Sequence, residues 1–361
     1  MALFQEREPS MKIKRWTSWA AMTLLAAGGA VAFAQSAEAA VPDRFGFALW
    51  SGGVVSQAQP AGTTVVAGPP GRWTVTFPNQ GIVGGVVHVT AVHDALANPP
   101  GRWCQADAWG PAGVNEVVKV SCYRPGGILD PVPGFSVQFA RSSGPIAGGY
   151  YGYIHANPVC GMLTQYNSVG LANSCFHAGV GAYSVSFPGF GNPGPYDGGL
   201  QVTAVNGAVG ARCKVAGWGT SPNGAFARIY CFNSAGAWAN TAFTVTYQFK
   251  RSLYGPAFPP NRFGYLWNVP PLGPVPTNYN STGPLNALAG GVPVWTATFP
   301  NLYTTAPSNT QVTAYGTTSH FCGLHRPWFP SGATLVAQVN CFTNAGVPVN
   351  SGFFVSHSSR I

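Results

Sequence analysis

Hydrophobic and polar residues alternate with a period of two along much of this chain after residue 40. In Arg72–Phe77, three large apolar residues alternate with two threonines, and the same pattern occurs in Val118–Cys122 and in Phe135–Phe139. Because successive side chains of a strand face opposite sides of the sheet, each segment predicts a β-strand with one apolar face and one polar face toward solvent. No segment beyond the leader has a convincing 3.6-residue stripe, so we expect an all-β protein.

The predicted strands recur in three copies with a period of about 110 residues, set by Phe77, Phe187 and Phe299. Each copy opens with a segment such as RFGYLWN, continues through a strand ending in Phe-Pro and a QVTAV-like segment, and closes on a strand such as FTVTY. Gly/Pro-rich segments beginning at Ser142 and Ser252 separate the copies. We therefore predict three tandem antiparallel β domains, each a sandwich or a small barrel. They are repeat 1 (residues 44–141), repeat 2 (150–251) and repeat 3 (262–360).

Each repeat carries two cysteines 18 or 19 positions apart, with turn residues near the midpoint. A chain that reverses there places the cysteines opposite each other on adjacent strands, so we predict one cross-strand disulfide per repeat. By elimination, the two remaining cysteines bridge a long loop peculiar to repeat 2. The predicted pairs are Cys104–Cys122, Cys213–Cys231, Cys322–Cys341 and Cys160–Cys175. Zinc sites favour closer Cys and His spacings, so we predict no metal site. The segment His320-x-Cys322-x-x-His325 is the one whose spacing comes nearest to that of a zinc site.

The first 39 residues have the features of a secretory signal peptide. A basic segment at Lys12–Arg15 precedes an apolar run, and small residues mark a cleavage site after Ala39, while Met11 is an alternative start. With eight cysteines, this predicts a secreted, extracellular, disulfide-bonded product that is free of the membrane after cleavage. From residue 41 onward, the sequence has 14 lysines and arginines against six acidic residues, and the basic residues are scattered along the chain. A nucleic-acid-binding protein would cluster its basic residues on one element, so we predict no nucleic-acid partner.

Acidic residues restrict the chemistry that the repeats could share. None follows Asp197, so repeat 3 has no carboxylate, and a carboxylate pair cannot be common to the three copies. No nucleophile elbow, P-loop or dinucleotide fingerprint occurs in a suitable context, and we predict neither catalytic residues nor a cofactor. The alternative is a secreted hydrolase with a single site in repeat 1. Its candidate acids are Asp94 and Asp107, with His88 and His93 nearby in sequence.

Tryptophans are the remaining candidates for binding. Trp109, Trp218 and Trp328 follow a hairpin cysteine in each repeat, and their regular place beside the disulfide favours a core role over a sugar-stacking role. The candidate ligand-stacking residues are Trp103 and Trp238, which lie outside the shared pattern. Rows of polar residues could also meet a hydroxyl-rich polymer; they include Thr74, Thr76, Thr244, Thr246, Thr296 and Thr298. Asn280-Ser281-Thr282 is a glycosylation sequon that matters only in a glycosylating host.

The segments FGYLW, TVTFP and QVTAYG, followed by a Cys-x4-Trp hairpin, resemble tandem repeats of uncharacterised secreted bacterial proteins, especially actinobacterial ones. The resemblance covers all three repeats and implies no established activity. Repeat 2 departs from it, because His155 stands where the other repeats open with Trp50 and Trp267. We therefore expect a non-catalytic extracellular protein that has a binding or structural role, with polysaccharide or cell-wall polymer as the most specific partner. We expect any localised function where the repeats differ, particularly around Cys160–Cys175.

Overall fold

The computed structural model describes residues 43–93, 101–131, 134–144, 148–191, 194, 196–254, 262–270 and 274–359. It contains 26 β-strands and no helix within these ranges. The strands of repeat 1 are β1 (Arg44–Ser51), β2 (Val54–Gln59), β3 (Thr64–Ala67), β4 (Arg72–Phe77), β5 (Val86–Val92), β6 (Trp103–Ala112), β7 (Asn115–Arg124), β8 (Ile128–Leu129) and β9 (Gly134–Arg141). Those of repeat 2 are β10 (Tyr150–Ala156), β11 (Met162–Asn167), β12 (Ser174–Gly179), β13 (Ala182–Pro188), β14 (Gly199–Val205), β15 (Ala211–Ser221), β16 (Gly224–Asn233) and β17 (Ala242–Phe249). Those of repeat 3 are β18 (Arg262–Asn268), β19 (Pro274–Asn280), β20 (Ala287–Gly290), β21 (Trp295–Phe299), β22 (Ser308–Tyr315), β23 (Phe321–Leu324), β24 (Phe329–Ser331), β25 (Thr334–Phe342) and β26 (Gly352–Ser359). The predicted all-β class is confirmed.

Each repeat divides its strands between two different sheets. In repeat 1, β2-β1-β9-β5 form what we call the opening half-sheet, and β6-β7-β4-β3 form the hairpin half-sheet. Repeats 2 and 3 divide in the same way. Residues such as Val75, Phe77, Val120, Phe135 and Phe139 fill the space between the two half-sheets of repeat 1 and are fully buried. Each repeat is therefore a sandwich with its own core, and its sheets end in edge strands without closing into a barrel.

The sheets continue from one repeat into another through a single parallel contact at each junction. The opening half-sheet of repeat 1 joins the hairpin half-sheet of repeat 3, that of repeat 2 joins repeat 1, and that of repeat 3 joins repeat 2. The three repeats thereby close into a ring with approximate threefold symmetry, within the compact unit Ala40–Ile361. The paired residues are Val92 with Leu324, Val205 with Ala106, and Tyr315 with Val215.

The QVTAV-like strands β5, β14 and β22 meet at the centre of this ring. The backbone N–H of Val89 donates to Oγ1 of Thr203 at 3.1 Å, and the corresponding bonds run from Val202 to Thr313 and from Val312 to Thr90, both at 2.9 Å. Each threonine thus accepts a hydrogen bond from the strand of another repeat. The three bonds form a cycle that ties the repeats together at buried positions.

The polar faces of the opening half-sheets are buried, which corrects the expectation that they meet solvent. Thr244 and Thr246 have no exposed surface, and the Thr246 hydroxyl lies 2.7 Å from Nε2 of His88 in repeat 1. The reason is the ring, because the outer face of each opening half-sheet packs against the other repeats. The threonines on the hairpin half-sheets remain partly accessible: Thr74, Thr76, Thr296 and Thr298.

All four predicted cysteine pairs are bonded. The three hairpin disulfides join residues directly opposite each other, as Cys104 and Cys122 are on β6 and β7. The expectation of a long loop peculiar to repeat 2 is wrong, because residues between Cys160 and Cys175 form β11 and part of β12, and the other repeats have equivalent strands. What is peculiar to repeat 2 is the bridge, which ties the β10–β11 connection to a strand of another sheet.

The disulfides indicate that the protein matures in an oxidising compartment. Within the part of the chain that the structure describes, there is no helix long and apolar enough to cross a membrane. The predicted signal peptide, residues 1–39, lies outside the described residues.

Candidate functional site

The hairpin tryptophan of each repeat packs toward the opening strand of the next repeat. Strand register identifies the residue that it meets there. Leu49, His155 and Trp267 occupy equivalent positions, because each pairs with the corresponding residue of its own closing strand. Trp50 and Trp267 occupy the same place in the sequence pattern, but in the strand register Trp50 lies one position beyond the residue equivalent to Trp267. Since neighbouring side chains on a strand face opposite sides, Trp50 packs on the core of its own repeat, whereas Trp267 enters the core of repeat 2.

Aromatic side chains fill the junction between repeats 2 and 3. The ring centroids of Trp218 and Trp267 are 5.2 Å apart, with the rings nearly perpendicular. Tyr196 lies against both indoles, at 5.7 and 5.2 Å. Trp218 is consequently only 4% exposed, in agreement with the predicted core role.

The junction between repeats 3 and 1 also covers its tryptophan. Trp328 is 5% exposed and shares a core with Leu49. The indole Nε1 of Trp328 donates to the Ser308 hydroxyl at 2.8 Å. The backbone N–H and the hydroxyl of Ser308 both donate to Oε1 of Gln57. A cleft of about 400 Å³ lies beside these groups, but the indole contributes little surface to it.

The junction between repeats 1 and 2 has His155 where the other two junctions have Leu49 and Trp267, and it leaves its tryptophan partly exposed. The ring centroids of Trp109 and His155 lie 4.4 Å apart, tilted by 41°. Trp109 is only half-buried, and its Nε1 is held by a 3.0 Å hydrogen bond to the carbonyl of Gly84. Both rings line an open cleft of about 380 Å³, which we call the 1/2 cleft. Its rim carries the exposed side chains of Val83 and Leu163, the latter on the strand that follows Cys160.

Polar groups of two kinds line the 1/2 cleft. Asp107, placed by a bulge in β6, accepts hydrogen bonds from Arg72 at 3.1 Å and from Ser121 at 2.6 Å, and burial raises the pKa of its carboxyl. Burial lowers the pKa of His155 to about 4, so this imidazole is neutral at neutral pH. Its Nε2 is buried and has no hydrogen-bond partner among the described residues. The cleft is therefore lined by an indole and a neutral imidazole, beside a largely buried carboxylate that two donors hold in place.

The two predicted ligand-stacking residues have different outcomes. Trp103 is 4% exposed, stacked on Tyr123 and packed edge-on against Phe321 of repeat 3, so its prediction as an exposed platform is wrong. The physical reason is that it lies where the repeats meet. Trp238 is 44% exposed, but Tyr230 and Phe232 pack against it and it lies outside the 1/2 cleft.

The three described residues of the alternative hydrolase site, Asp107, His88 and His93, do not line a common cleft. His88 and His93 are buried, and burial lowers their pKa values to about 3 and about 4. His93 Nδ1 lies 2.9 Å from the carbonyl of Leu324, and neither histidine lines the cleft with Asp107. Asp94 lies outside the described residues. No metal-ligand cluster of three His, Cys, Asp or Glu side chains is present in the described ranges.

The 1/2 cleft could not be predicted from sequence as a site, because it depends on the ring contact between repeats 1 and 2. The signal in the sequence is His155, a polar residue at the position where the other opening strands carry Leu49 and Trp267. The chain matches no protein-family model, no curated protein and no solved structure.

Proposed function

We propose that this protein is an extracellular, non-catalytic binding protein whose 1/2 cleft holds a segment of polysaccharide or cell-wall polymer. The observation that carries the proposal is the partial exposure of Trp109 beside a cleft of about 380 Å³, whereas the two equivalent tryptophans are buried. Among the three hairpin tryptophans, Trp109 is the one that the described residues leave partly exposed in such a cleft.

The chemistry of the cleft suits a neutral, hydroxyl-rich ligand. An indole gives a broad apolar surface on which the C–H face of a sugar ring can stack. The neutral imidazole of His155 adds a second ring to this surface, while its Nε2 and Oδ1 of Asp107 are buried in the cleft wall and reach a ring hydroxyl only after a side-chain rotation. The volume falls within the range of small-ligand clefts, and the open shape leaves room for a chain to continue on either side.

The extracellular location rests on two features. The four disulfides require an oxidising compartment, and residues 1–39 have the sequence of an export signal. Both features agree with the resemblance to secreted bacterial repeat proteins.

The proposal is tested by co-sedimentation of the mature protein with insoluble polysaccharides and purified cell walls. We expect retention on at least one of them and at least a tenfold loss of retention for Trp109→Ala. Trp238→Ala is the matched control, because it removes an exposed indole outside the cleft. Failure of the wild-type protein to sediment with any polymer would refute polymer binding, and loss only in Trp238→Ala would refute this location.

The same samples test the non-catalytic part of the proposal. We expect no release of soluble fragments from the retained polymer. Fragment release that disappears in Asp107→Asn, while retention persists, would instead support a hydrolase with its site in repeat 1.

A further inference from the structure

A small cavity of about 50 Å³ lies at the centre of the ring, and we call it the axial cavity. All three repeats line it through equivalent residues, including Val89, Val202 and Val312. Two cations of β15, Arg212 and Lys214, also line it, although they are only 6% and 2% exposed. No carboxylate among the described residues lines the cavity. Two positive charges therefore lie at a partly open cavity whose described wall residues include no anionic side chain.

The guanidinium of Arg212 lies between two aromatic rings contributed by the other repeats. Its central carbon is 4.4 Å from the ring centroid of Trp103 and 4.8 Å from that of Phe321. Nη2 donates to the carbonyl of Asn233 at 3.3 Å and to the Asn344 side chain. Nε and Nη1 are buried without a hydrogen-bond partner among the described residues. Aromatic faces stabilise a cation, but they do not satisfy its N–H donors in the ring plane.

The ammonium of Lys214 is only partly satisfied. Nζ donates to the carbonyl of Thr318 at 3.0 Å and to that of His320 at 3.2 Å, which accounts for two of its three N–H donors. Burial and the nearby Arg212 lower the pKa of Lys214 to about 7. A buried cation without a counter-charge is costly, and a bound anion removes that cost.

We propose that the axial cavity binds one small monovalent anion of the size class of chloride, held by the side chains of Arg212 and Lys214. One water needs about 10–15 Å³ of such space, so the cavity has room for a halide in place of a few waters. The equivalent positions carry Trp103 and Gln105 in repeat 1, and Phe321 and Gly323 in repeat 3. The cationic pair thus occurs once, and the stoichiometry is one anion per chain.

Anion affinity falls as pH rises through the pKa of Lys214, because the neutral amine no longer attracts the anion. The other titratable groups lining the cavity are Arg212, which stays charged, and His320, whose pKa is lowered by burial and by Lys214. We therefore expect tighter binding at pH 6 than at pH 8.5.

The direct test is a crystal of the wild-type protein grown or soaked in sodium bromide. The proposal requires an anomalous bromide peak in the axial cavity, within hydrogen-bonding distance of Arg212 and Lys214. A cavity that is empty or holds only water, while bromide peaks occur elsewhere on the protein, would overturn it.

A solution test compares unfolding midpoints in sodium chloride and in sodium gluconate at equal ionic strength. We expect chloride to raise the midpoint by about 2–5 °C with saturable dependence. The difference should vanish in Lys214→Met and persist in Lys119→Met, which removes an exposed lysine. Equal midpoints of the wild-type protein in both salts would contradict the proposal. If Lys214→Met does not fold, the bromide crystal of the wild-type protein decides whether the axial cavity binds an anion.

Discussion

Trp109 and His155 lie with ring centroids 4.4 Å apart across the junction of repeats 1 and 2. At the equivalent junction of repeats 2 and 3, Trp218 meets Trp267 and Tyr196 and is buried. At the junction of repeats 3 and 1, Leu49 occupies the position of His155 and Trp328 is also buried, so the partial exposure of Trp109 is particular to the junction of repeats 1 and 2. The hairpin tryptophans share a position but not a role.

Truncating two equivalent tryptophans should affect stability to different extents. Trp218→Ala removes a fully packed indole and leaves a cavity, so we expect the free energy of unfolding to fall by about 3–5 kcal/mol. Trp109→Ala removes a partly exposed indole, and we expect a loss of about 1–2 kcal/mol. Urea unfolding of both variants measures the difference. Equal losses would show that Trp109 is as much a core residue as Trp218.

The threonine cycle at the centre of the ring should contribute to stability through its hydrogen bonds. Thr203→Val keeps the shape of the side chain but leaves the N–H of Val89 buried without its acceptor. We expect the free energy of unfolding to fall by about 1–3 kcal/mol. Thr74→Val, at a half-buried position on a hairpin half-sheet, is the control and should change stability by less than about 0.5 kcal/mol. Similar losses in both variants would contradict the importance of the cycle.

Stability should decrease in mild acid because buried histidines resist protonation. Burial lowers the pKa of His88 and His357 to about 3, below the value of about 6.5 in an unfolded chain. Between pH 6.5 and 3 the unfolded state binds more protons, so stability is present above pH 6.5 and is lost as pH falls, by about 1.4 kcal/mol per unit for each histidine. Burial raises the pKa of Glu116 to about 7, which acts in the opposite sense between pH 4.5 and 7.

Urea midpoints between pH 7.5 and pH 4 test this balance. We expect a net decline toward pH 4, and a shallower decline in His88→Gln, which removes one of the titrating groups. A midpoint that is constant or rises toward pH 4 would mean that the buried histidines do not dominate the proton balance.

The sequon at Asn280 should not carry a glycan in the folded protein. Asn280 is buried, and its Nδ2 donates to the carbonyl of Pro300 at 2.9 Å and to Oδ1 of Asn286 at 3.0 Å. A glycan would require both bonds to break and the side chain to leave the core. Intact-mass measurement of folded protein from a glycosylating host should give the unmodified mass. A glycan at Asn280 in monodisperse, folded protein would contradict this placement.

Local features of the fold could be predicted from sequence, whereas contacts between the repeats could not. The alternation in Arg72–Phe77 predicts a strand, and the spacing of Cys104 and Cys122 predicts a disulfide between neighbouring strands. The parallel contact of Val92 with Leu324 joins residues more than two hundred positions apart, and no local pattern specifies it. The expected exposure of Trp103 and Thr246 is wrong because residues of other repeats bury them.

The most direct test of the proposed function is the retention of His155→Trp on the polymer that retains the wild-type protein. This variant places in the 1/2 cleft the residue type that fills the junction of repeats 2 and 3. We expect retention to fall at least tenfold, with an unfolding midpoint equal to or above that of the wild-type protein. Unchanged retention by a folded His155→Trp variant would contradict binding in this cleft.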